Sequence, residues 1–190
     1  MPTSGSCFSD AASLQTALAS AGDTVAVCDN LLVPVTQTLS VTANNLTLCC
    51  QNCSLIGDDV PVLTVSGESF TLSGVTLVDG LSQFSSGANL YIDANGNHRI
   101  VGAFFSNGTG ASPAGGGNVY VRTDDSLYVS GSVFAEGNGG LGGGLEIKDA
   151  ARVEIVSSEI RRNGDYSGLF MGNLRSDLRP RGIRDRKSVV

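Results

Sequence analysis

The chain has 190 residues, of which 41% are hydrophobic and only 6% aromatic, and its formal net charge is −6. This length is that of one domain, and the apolar content is enough for a core of narrow aliphatic layers. The acidic charge argues against nucleic acid and anionic lipid as natural partners, and no apolar run approaches the roughly 20 residues that span a bilayer.

A short helix is predicted near the amino terminus. Residues 1–8 are interpreted as a leader and residues 9–22 as a capping helix, because Leu14 and Leu18 lie four residues apart on one face and Gly22 then ends the pattern. A helix directly before a series of strands covers the apolar layer of the first open coil of a solenoid.

Residues 24–174 alternate apolar and polar positions in short strands, and their inward residues recur in columns with steps of 21 to 29 residues. The first column is Val27, Leu48, Leu72, Ile100, Val129 and Ile155. The second column is Leu39, Leu63, Leu90, Val119, Leu145 and Leu169. Such steps are too long for hairpins and fit one coil each, so the sequence predicts an all-β parallel solenoid of about six coils.

Further positions follow from the same spacing. A third inward column is expected at Cys53, Leu77, Phe105, Phe134 and Ile160. His98 takes the wall position of Phe70, Leu127 and Val153, so it is predicted to be a half-buried wall residue rather than a catalytic one. A polar corner after the third column is expected to stack three asparagines, Asn107, Asn138 and Asn163.

All five cysteines lie in the first 53 residues. Cys28 and Cys49 each follow a member of the first column, so they are predicted to form a disulfide between neighbouring coils. Cys7 and Cys50 stay unassigned. A zinc site at Cys49, Cys50 and Cys53 is disfavoured because it lacks a second pair of ligands.

Three sequons, at Asn45, Asn52 and Asn107, accompany the cysteines. Together they predict N-glycosylation and an extracellular or cell-surface location, although no signal peptide is present in this chain. We expect the amino end to be incomplete.

The last segment, residues 175–190, differs from the rest of the chain. It carries a net charge of +4 against −10 for residues 1–174, and it breaks every column. We interpret it as a disordered, non-native basic tail, since its end resembles the translation of a sequencing-library adapter. The chain is therefore expected to be a truncated fragment. The last coil, with Val153, Ile155 and Leu169, is then open and predicted to self-associate.

The run "SLQTALASAGDTVAV", followed by coils such as "FTLSGVTL" and "GGGLEI", resembles the pectin-lyase-like right-handed parallel β-helix proteins over residues 10–174. The resemblance implies a right-handed β-helix. It does not fix the function, because polysaccharide lyases, glycoside hydrolases, adhesins and inert spacers share this architecture.

The enzymes of this family imply candidate catalytic residues. Polygalacturonase-like members use clustered aspartates, for which Asp124 and Asp125 are the candidates, and pectate-lyase-like members use a basic residue, for which Arg122 is a candidate beside Arg99 and Lys148. The coil register also stacks Asp93, Asp124 and Asp149 into an acidic ridge with Glu68 and Asp125. Carboxylates at this spacing are suited to Ca²⁺, but a solvated charged turn without a metal is the favoured interpretation.

Outward tyrosines supply the remaining candidate site. Tyr91, Tyr120 and Tyr128 lie among outward polar residues, and aromatic faces are suited to sugar rings. The expected function is carbohydrate binding or a structural, adhesive role toward a polysaccharide or matrix glycan, without catalysis by this chain. The alternative is a polysaccharide lyase or glycoside hydrolase with its active site on the acidic ridge or in missing coils.

Overall fold

The protein is a parallel β-solenoid of about five turns with one short helix at its amino-terminal side. The computed structural model describes residues 7–20, 24–83, 86–111, 115–164, 168–172, 178–181 and 184–186, with side chains up to residue 172. This architecture confirms the predicted all-β solenoid, with about five turns in place of about six coils.

The helix α1 (Ala11–Leu18) begins where Asp10 caps it, because the Asp10 Oδ1 atom accepts a hydrogen bond of 2.9 Å from the Ser13 N–H. Leu14 and Leu18 are fully buried, and the helix packs against the first three strands. The predicted capping helix is thus confirmed in a shorter form. Gly22 and residues 1–6 of the expected leader lie outside the described residues.

The strands of the described residues follow in chain order. They are β1 (Thr24–Ala26), β2 (Leu32–Val35), β3 (Leu39–Val41), β4 (Thr47–Gly57), β5 (Leu63–Val65), β6 (Thr71–Val78), β7 (Leu90–Asp93), β8 (His98–Val101), β9 (Phe104–Ser106), β10 (Val119–Arg122), β11 (Ser126–Ser130), β12 (Val133–Ala135), β13 (Leu145–Lys148), β14 (Arg152–Val156), β15 (Glu159–Arg161), β16 (Leu169–Gly172), β17 (Leu178–Arg181) and β18 (Arg184–Arg186).

All strand pairs are parallel and join residues one coil apart. The six-stranded sheet consists of β3, β5, β7, β10, β13 and β16. The other sheet is bent, because the long strands β4 and β6 each pair with two strands of a neighbouring coil. We call its halves the first arm (β1, the start of β4 and β6, then β8, β11, β14 and β17) and the second arm (β2, the end of β4 and β6, then β9, β12, β15 and β18).

The predicted columns are largely present in the core. The second column is confirmed at every member, from Leu39 to Leu169. The first column is confirmed from Leu48 to Ile155, but its first member is Val25, not Val27. Both valines are buried, so the apolar alternation alone could not choose between them.

The third column is confirmed at Leu77, Phe105, Phe134 and Ile160, but the residue before Leu77 is Leu55 rather than Cys53, and Val33 precedes Leu55. The reason is a bulge in β4: Cys49 lies opposite Ser73 and Cys53 opposite Val75, so the three residues between the cysteines stand opposite Gly74 alone. The alignment therefore shifts by two residues within a single strand.

The predicted Cys28–Cys49 disulfide is wrong. Cys7 bonds to Cys28 and Cys50 to Cys53, and Cys49 is a free thiol. The error has the same origin as the displaced first column, because Cys49 lies opposite Ala26 and Cys28 is two residues further along. Cys53 is buried as expected, but its bond to Cys50 removes the zinc hypothesis.

The predicted asparagine corner is also wrong. Asn107 follows Ser106, whose partner in the next coil is Ala135, so Asn107 stands level with Glu136. Asn138 pairs instead with Thr109. The turn residues of successive coils therefore differ in kind.

A different asparagine ladder lies inside the solenoid. The Asn89 Nδ2 atom donates to Asn118 Oδ1 at 2.7 Å, and Asn118 Nδ2 donates to Asn163 Oδ1 at 3.5 Å. The side-chain oxygens also accept bonds of 2.8 Å from the N–H groups of Gly80, Gly108 and Gly137. Their amides donate to the carbonyls of Ser106, Ala135 and Phe134. The ladder thus satisfies the backbone at each corner.

The carboxyl-terminal segment contains strand, contrary to the prediction of a disordered tail over residues 175–190. β17 pairs with β14 and β18 with β15, so the Val153 and Ile155 edge, expected to be open, is covered. The columns do break there, because Pro180 and Asp185 stand opposite Ile155 and Ile160. Backbone pairing does not require that pattern.

Candidate functional site

A polar cleft of about 330 Å³ opens where β7, β10 and β13 end, at one edge of the six-stranded sheet. It is lined by Asp93, Asn95, Arg122, Thr123, Asp124 and Asp149. Because the strands are parallel and in register, the chain turns at the same place in each coil and its turn residues gather there. The cleft brings together the three calcium candidates and two of the three catalytic candidates.

Arg122 is held by Asp93. The Arg122 Nε atom donates to Asp93 Oδ1 at 2.7 Å and its second terminal nitrogen to Asp93 Oδ2 at 2.6 Å, a two-pronged ion pair between neighbouring coils. Hydrogen bonding to Asp93 raises the pKa of Arg122 further. Asp93, Arg122 and Lys148 occupy one register position, so the predicted ridge of stacked carboxylates is not formed.

The Asp124–Asp125 pair is divided by its surroundings. Asp125 Oδ2 accepts a bond of 3.0 Å from the Gly96 N–H, whereas Asp124 lines the cleft. Thr123 is buried beneath them, and its Oγ1 atom donates to the Gly96 carbonyl at 3.0 Å. The two aspartates therefore do not face one reaction centre together.

The carboxylates of the cleft do not assemble into a metal site. Among the residues that the structure describes, no three His, Cys, Asp or Glu side chains are grouped so that they could hold an ion. Asp93 instead turns both oxygens to Arg122. The geometry therefore does not support the calcium ligands Asp93, Asp124 and Asp149.

Tyr91 and Tyr120 stack on the outer face of the six-stranded sheet, with ring centroids 5.0 Å apart and planes inclined by 8°. Burial is the largest cause that raises the pKa of Tyr91 to about 12, and the Asp93 carboxylate adds to it. The Tyr91 hydroxyl donates to Asp93 Oδ2 at 3.2 Å, which joins the stack to the cleft. Tyr120 is only 6% exposed, so its ring is not an open sugar platform.

Tyr128 lies on another face, the outside of the first arm. The Arg99 guanidinium carbon is 4.6 Å from its ring centroid, and Tyr128 borders a separate depression of about 140 Å³ with Arg152 and Glu154. The three predicted tyrosines therefore do not form one binding surface.

A buried carboxylate escaped the sequence analysis. Glu146 occupies the outward position next to Tyr120 yet is fully buried, and the Gly116 N–H donates to its Oε2 atom at 2.6 Å. The Lys148 ammonium lies 2.8 Å from the other oxygen and 5.4 Å from the Tyr120 ring centroid. A side chain at Gly116 would meet the Glu146 Cβ at 2.8 Å. The glycine run upstream of β10 was therefore the sequence signal that could have indicated a buried side chain at position 146.

His98 is a wall residue, as predicted, but it is fully buried rather than half-buried. Its Nδ1 atom accepts from the Phe70 N–H at 3.2 Å, which leaves Nε2 to donate to the Ala94 carbonyl at 3.0 Å. Burial lowers the pKa of His98, so the neutral ring is favoured. Both nitrogens are used within the fold.

The sequon asparagines Asn45, Asn52 and Asn107 are all exposed, each with a φ between 54° and 57°. Asn52 lies within the short loop closed by the Cys50–Cys53 disulfide. Among the described residues, no helix has the length and apolar character needed to cross a membrane.

Comparison of the chain with protein-family models, with curated proteins and with solved structures returned no match. The solenoid architecture therefore rests on the structure itself, and a function has to be inferred from the chemistry of the cleft and its surroundings.

Proposed function

We propose that the protein is an extracellular or cell-surface β-solenoid of the pectin-lyase-like type that binds a polysaccharide and does not itself catalyse a reaction. The polar cleft beside Tyr91 is the observation that carries this proposal. It offers carboxylate, amide and hydroxyl groups on a rigid sheet edge, and such groups match the hydroxyls of a sugar chain.

The charge of the cleft favours a neutral glycan. Asp124 and Asp149 line it with carboxylates, and Asn95 adds an amide. Its one cation among the described lining residues, Arg122, is already paired with Asp93. A uronate or sulfate would be repelled by this acidic lining, whereas a neutral sugar hydroxyl can donate to a carboxylate.

The alternative, a polysaccharide lyase or glycoside hydrolase, has less support. A lyase base must reach the substrate, but Arg122 is engaged by Asp93. Paired hydrolase carboxylates must flank one bond, but Asp125 accepts a hydrogen bond from the Gly96 N–H and does not line the cleft with Asp124.

The secretory location is supported by the two disulfides, which are typical of oxidising compartments. The exposed sequons Asn45, Asn52 and Asn107 are suited to glycosylation in the same route. Expression in a secreting eukaryotic cell should give a product whose mass falls on endoglycosidase treatment. An unchanged mass would contradict the glycoprotein proposal.

Binding to immobilised neutral and acidic glycans tests the main proposal. We expect retention on neutral glycans only, with a loss of about 10-fold or more when Asp124→Asn or Tyr91→Ala removes a cleft contact. Tyr128→Ala is the matched control, because Tyr128 lies on another face. Equal loss in the control, or retention unaffected by both cleft substitutions, would contradict the site.

The same preparations distinguish binding from catalysis. Incubation with the retained glycan should release neither reducing ends nor unsaturated products. Release that is abolished by Asp124→Asn would establish the hydrolase or lyase alternative instead.

A further inference from the structure

One of the three sequons differs covalently from the other two. In the sequon at Asn52 the middle residue is Cys53, which forms a disulfide with Cys50, only three positions earlier in the chain. The sequons at Asn45 and Asn107 contain no cysteine, and both asparagines lie outside the two disulfide loops. The acceptor asparagine at position 52 is therefore the one enclosed by a cross-link.

The fold holds both ends of the Asn52 sequon in place. Cys53 is fully buried, whereas Asn52 is exposed with a φ of 57°. The hydroxyl residue of the sequon, Ser54, lies in β4 and pairs with Leu32 on one side and Thr76 on the other. The acceptor asparagine and its hydroxyl residue therefore flank a buried, cross-linked cysteine, and neither can move far without it.

The disulfide keeps this segment too short to be extended. An enzyme that glycosylates a sequon must bind the asparagine and the hydroxyl residue two positions later as one accessible segment. A fully extended chain would place the Cα atoms of Cys50 and Cys53 roughly 10 Å apart, but the disulfide holds them at 5.9 Å. The constraint is covalent, so it persists in a chain that is otherwise unfolded and still accessible to the enzyme.

Disulfide closure and glycan transfer compete for the same short stretch of the chain. Both cysteines and the acceptor amide lie within residues 50–53. Closure of this loop therefore needs no tertiary structure, unlike the Cys7–Cys28 bond, whose cysteines are 21 residues apart and are brought together by the pairing of Phe8 with Val27. Both reactions become available as soon as this stretch has been synthesised, so their order decides whether Asn52 carries a glycan.

We propose that the Cys50–Cys53 disulfide controls N-glycosylation of Asn52, so that a glycan is transferred only while the two cysteines are reduced. This rests on the secretory glycoprotein proposed above. In the transfer, the Asn52 Nδ2 atom bonds to the anomeric carbon of a lipid-linked oligosaccharide, loses a proton and displaces the lipid pyrophosphate. In closure, the two thiols give two electrons and two protons to a disulfide oxidant, which is reduced to a dithiol. The oxidised protein then carries glycans at Asn45 and Asn107 and little at Asn52.

Site occupancy in a secreting eukaryotic cell tests the proposal. The chain carries Cys49→Ser, so that no neighbouring thiol can replace Cys50, and it is recovered from whole cells together with the medium, so that a retained variant is also counted. Cys50→Ser opens the loop and leaves the sequon intact. We expect it to raise the occupancy of Asn52 several-fold in glycopeptide mass spectrometry, with Asn45 and Asn107 unchanged. A dithiothreitol pulse during synthesis of the chain that retains Cys50 should raise Asn52 occupancy likewise.

The matched control is Cys7→Ser with Cys28→Ser, which opens the other disulfide and leaves the loop at residues 50–53 closed. It should leave the occupancy of Asn52 low. An equal rise in this control, or equal occupancy of Asn52 with and without Cys50, would overturn this inference, while glycans at the other two sequons would still support the glycoprotein proposal. A chain without a glycan at any of the three sequons would overturn both.

Discussion

The amino-terminal coils and the middle coils of the solenoid are held together by different interactions. Residues 24–57 are covered by α1, joined by the Cys7–Cys28 and Cys50–Cys53 disulfides, and interrupted by the bulge in β4. Residues 86–164 contain none of these three features in their described part. They are aligned by ladders of like residues: the internal asparagines, the Phe105–Phe134 stack and the Tyr91–Tyr120 stack.

Coil length explains the difference. Asn89 and Asn118, Tyr91 and Tyr120, and Phe105 and Phe134 are all 29 residues apart, so two whole coils match residue for residue. In the amino-terminal coils the step is 23 residues at Val25, 24 at Leu48 and 22 at Leu55. Equal coils allow identical side chains to stack, whereas unequal coils need covalent links and a cap.

The largest loss of stability is expected at the asparagine ladder of the middle coils, which the amino-terminal coils lack in their described part. Asn118→Ala would leave the Gly108 N–H, the Ala135 carbonyl and an Asn89 N–H without partners inside the core, at a cost of about 4 kcal/mol. Urea denaturation measures it. Asn107→Gly, at an exposed turn with a φ of 54° that glycine tolerates, is the control and should cost less than about 1 kcal/mol. Similar losses in both would show that the ladder does not hold the middle coils.

The same contrast determines what the sequence could predict. The middle columns, from Leu72 to Ile155, follow from spacing, because each strand there keeps its alternation in register. Cys53 was misplaced in the third column, because a two-residue bulge between Cys49 and Cys53 leaves no mark in an apolar pattern. The start of the first column and the disulfide of Cys28 were missed, because Val25 and Val27 are both buried and alternation does not choose between them.

The cleft was predicted only in part. The turn containing Asp93, Asp124 and Asp149 was located correctly, because parallel strands end at a common edge. The Asp93–Arg122 pair was not expected, although the correctly predicted second column, with Leu90 opposite Val119, already places these two residues opposite each other. The burial of Tyr120 and Glu146 depends on distant glycine backbone and could not be read locally.

The next largest losses of stability are expected when the disulfides are removed, and the two disulfides should differ. Cys7→Ser with Cys28→Ser opens a link 21 residues apart in sequence and should lower the free energy of unfolding by about 3 kcal/mol, whereas opening Cys50–Cys53, 3 apart, should cost about 2 kcal/mol. Chemical denaturation of the paired variants gives both values, with Cys49→Ser as control. Equal costs would contradict the chain-entropy explanation for the amino-terminal coils.

His98 gives the middle coils a dependence on pH. Burial lowers its pKa in the folded state below the ordinary value of 6.5, despite the opposing Ala94 carbonyl and Asp125 charge, so the unfolded chain binds the proton more readily. Its contribution to stability is therefore complete above pH 6.5 and falls as the pH drops, by up to about 1.4 kcal/mol per unit.

Denaturation midpoints between pH 7.5 and 5 measure this slope. His98→Gln keeps polar contacts at the wall position and should flatten the profile in that range. An identical slope in the variant would mean that other groups cause it.

The smallest loss of stability is expected for a substitution in the cleft. Arg122→Gln removes an ion pair whose side chains are 51% and 32% exposed, so the loss of stability should be about 0.5 kcal/mol. Thermal denaturation at low and high salt checks it. A loss above about 2 kcal/mol would show that the middle coils depend on this pair as well as on their ladders.

Amide hydrogen exchange with and without a thiol reductant tests most directly whether the two regions are held differently. Reduction should speed exchange in residues 24–57 and leave residues 90–161 protected, because each coil of a solenoid depends chiefly on its neighbours. A rise of equal size in both regions would contradict this division.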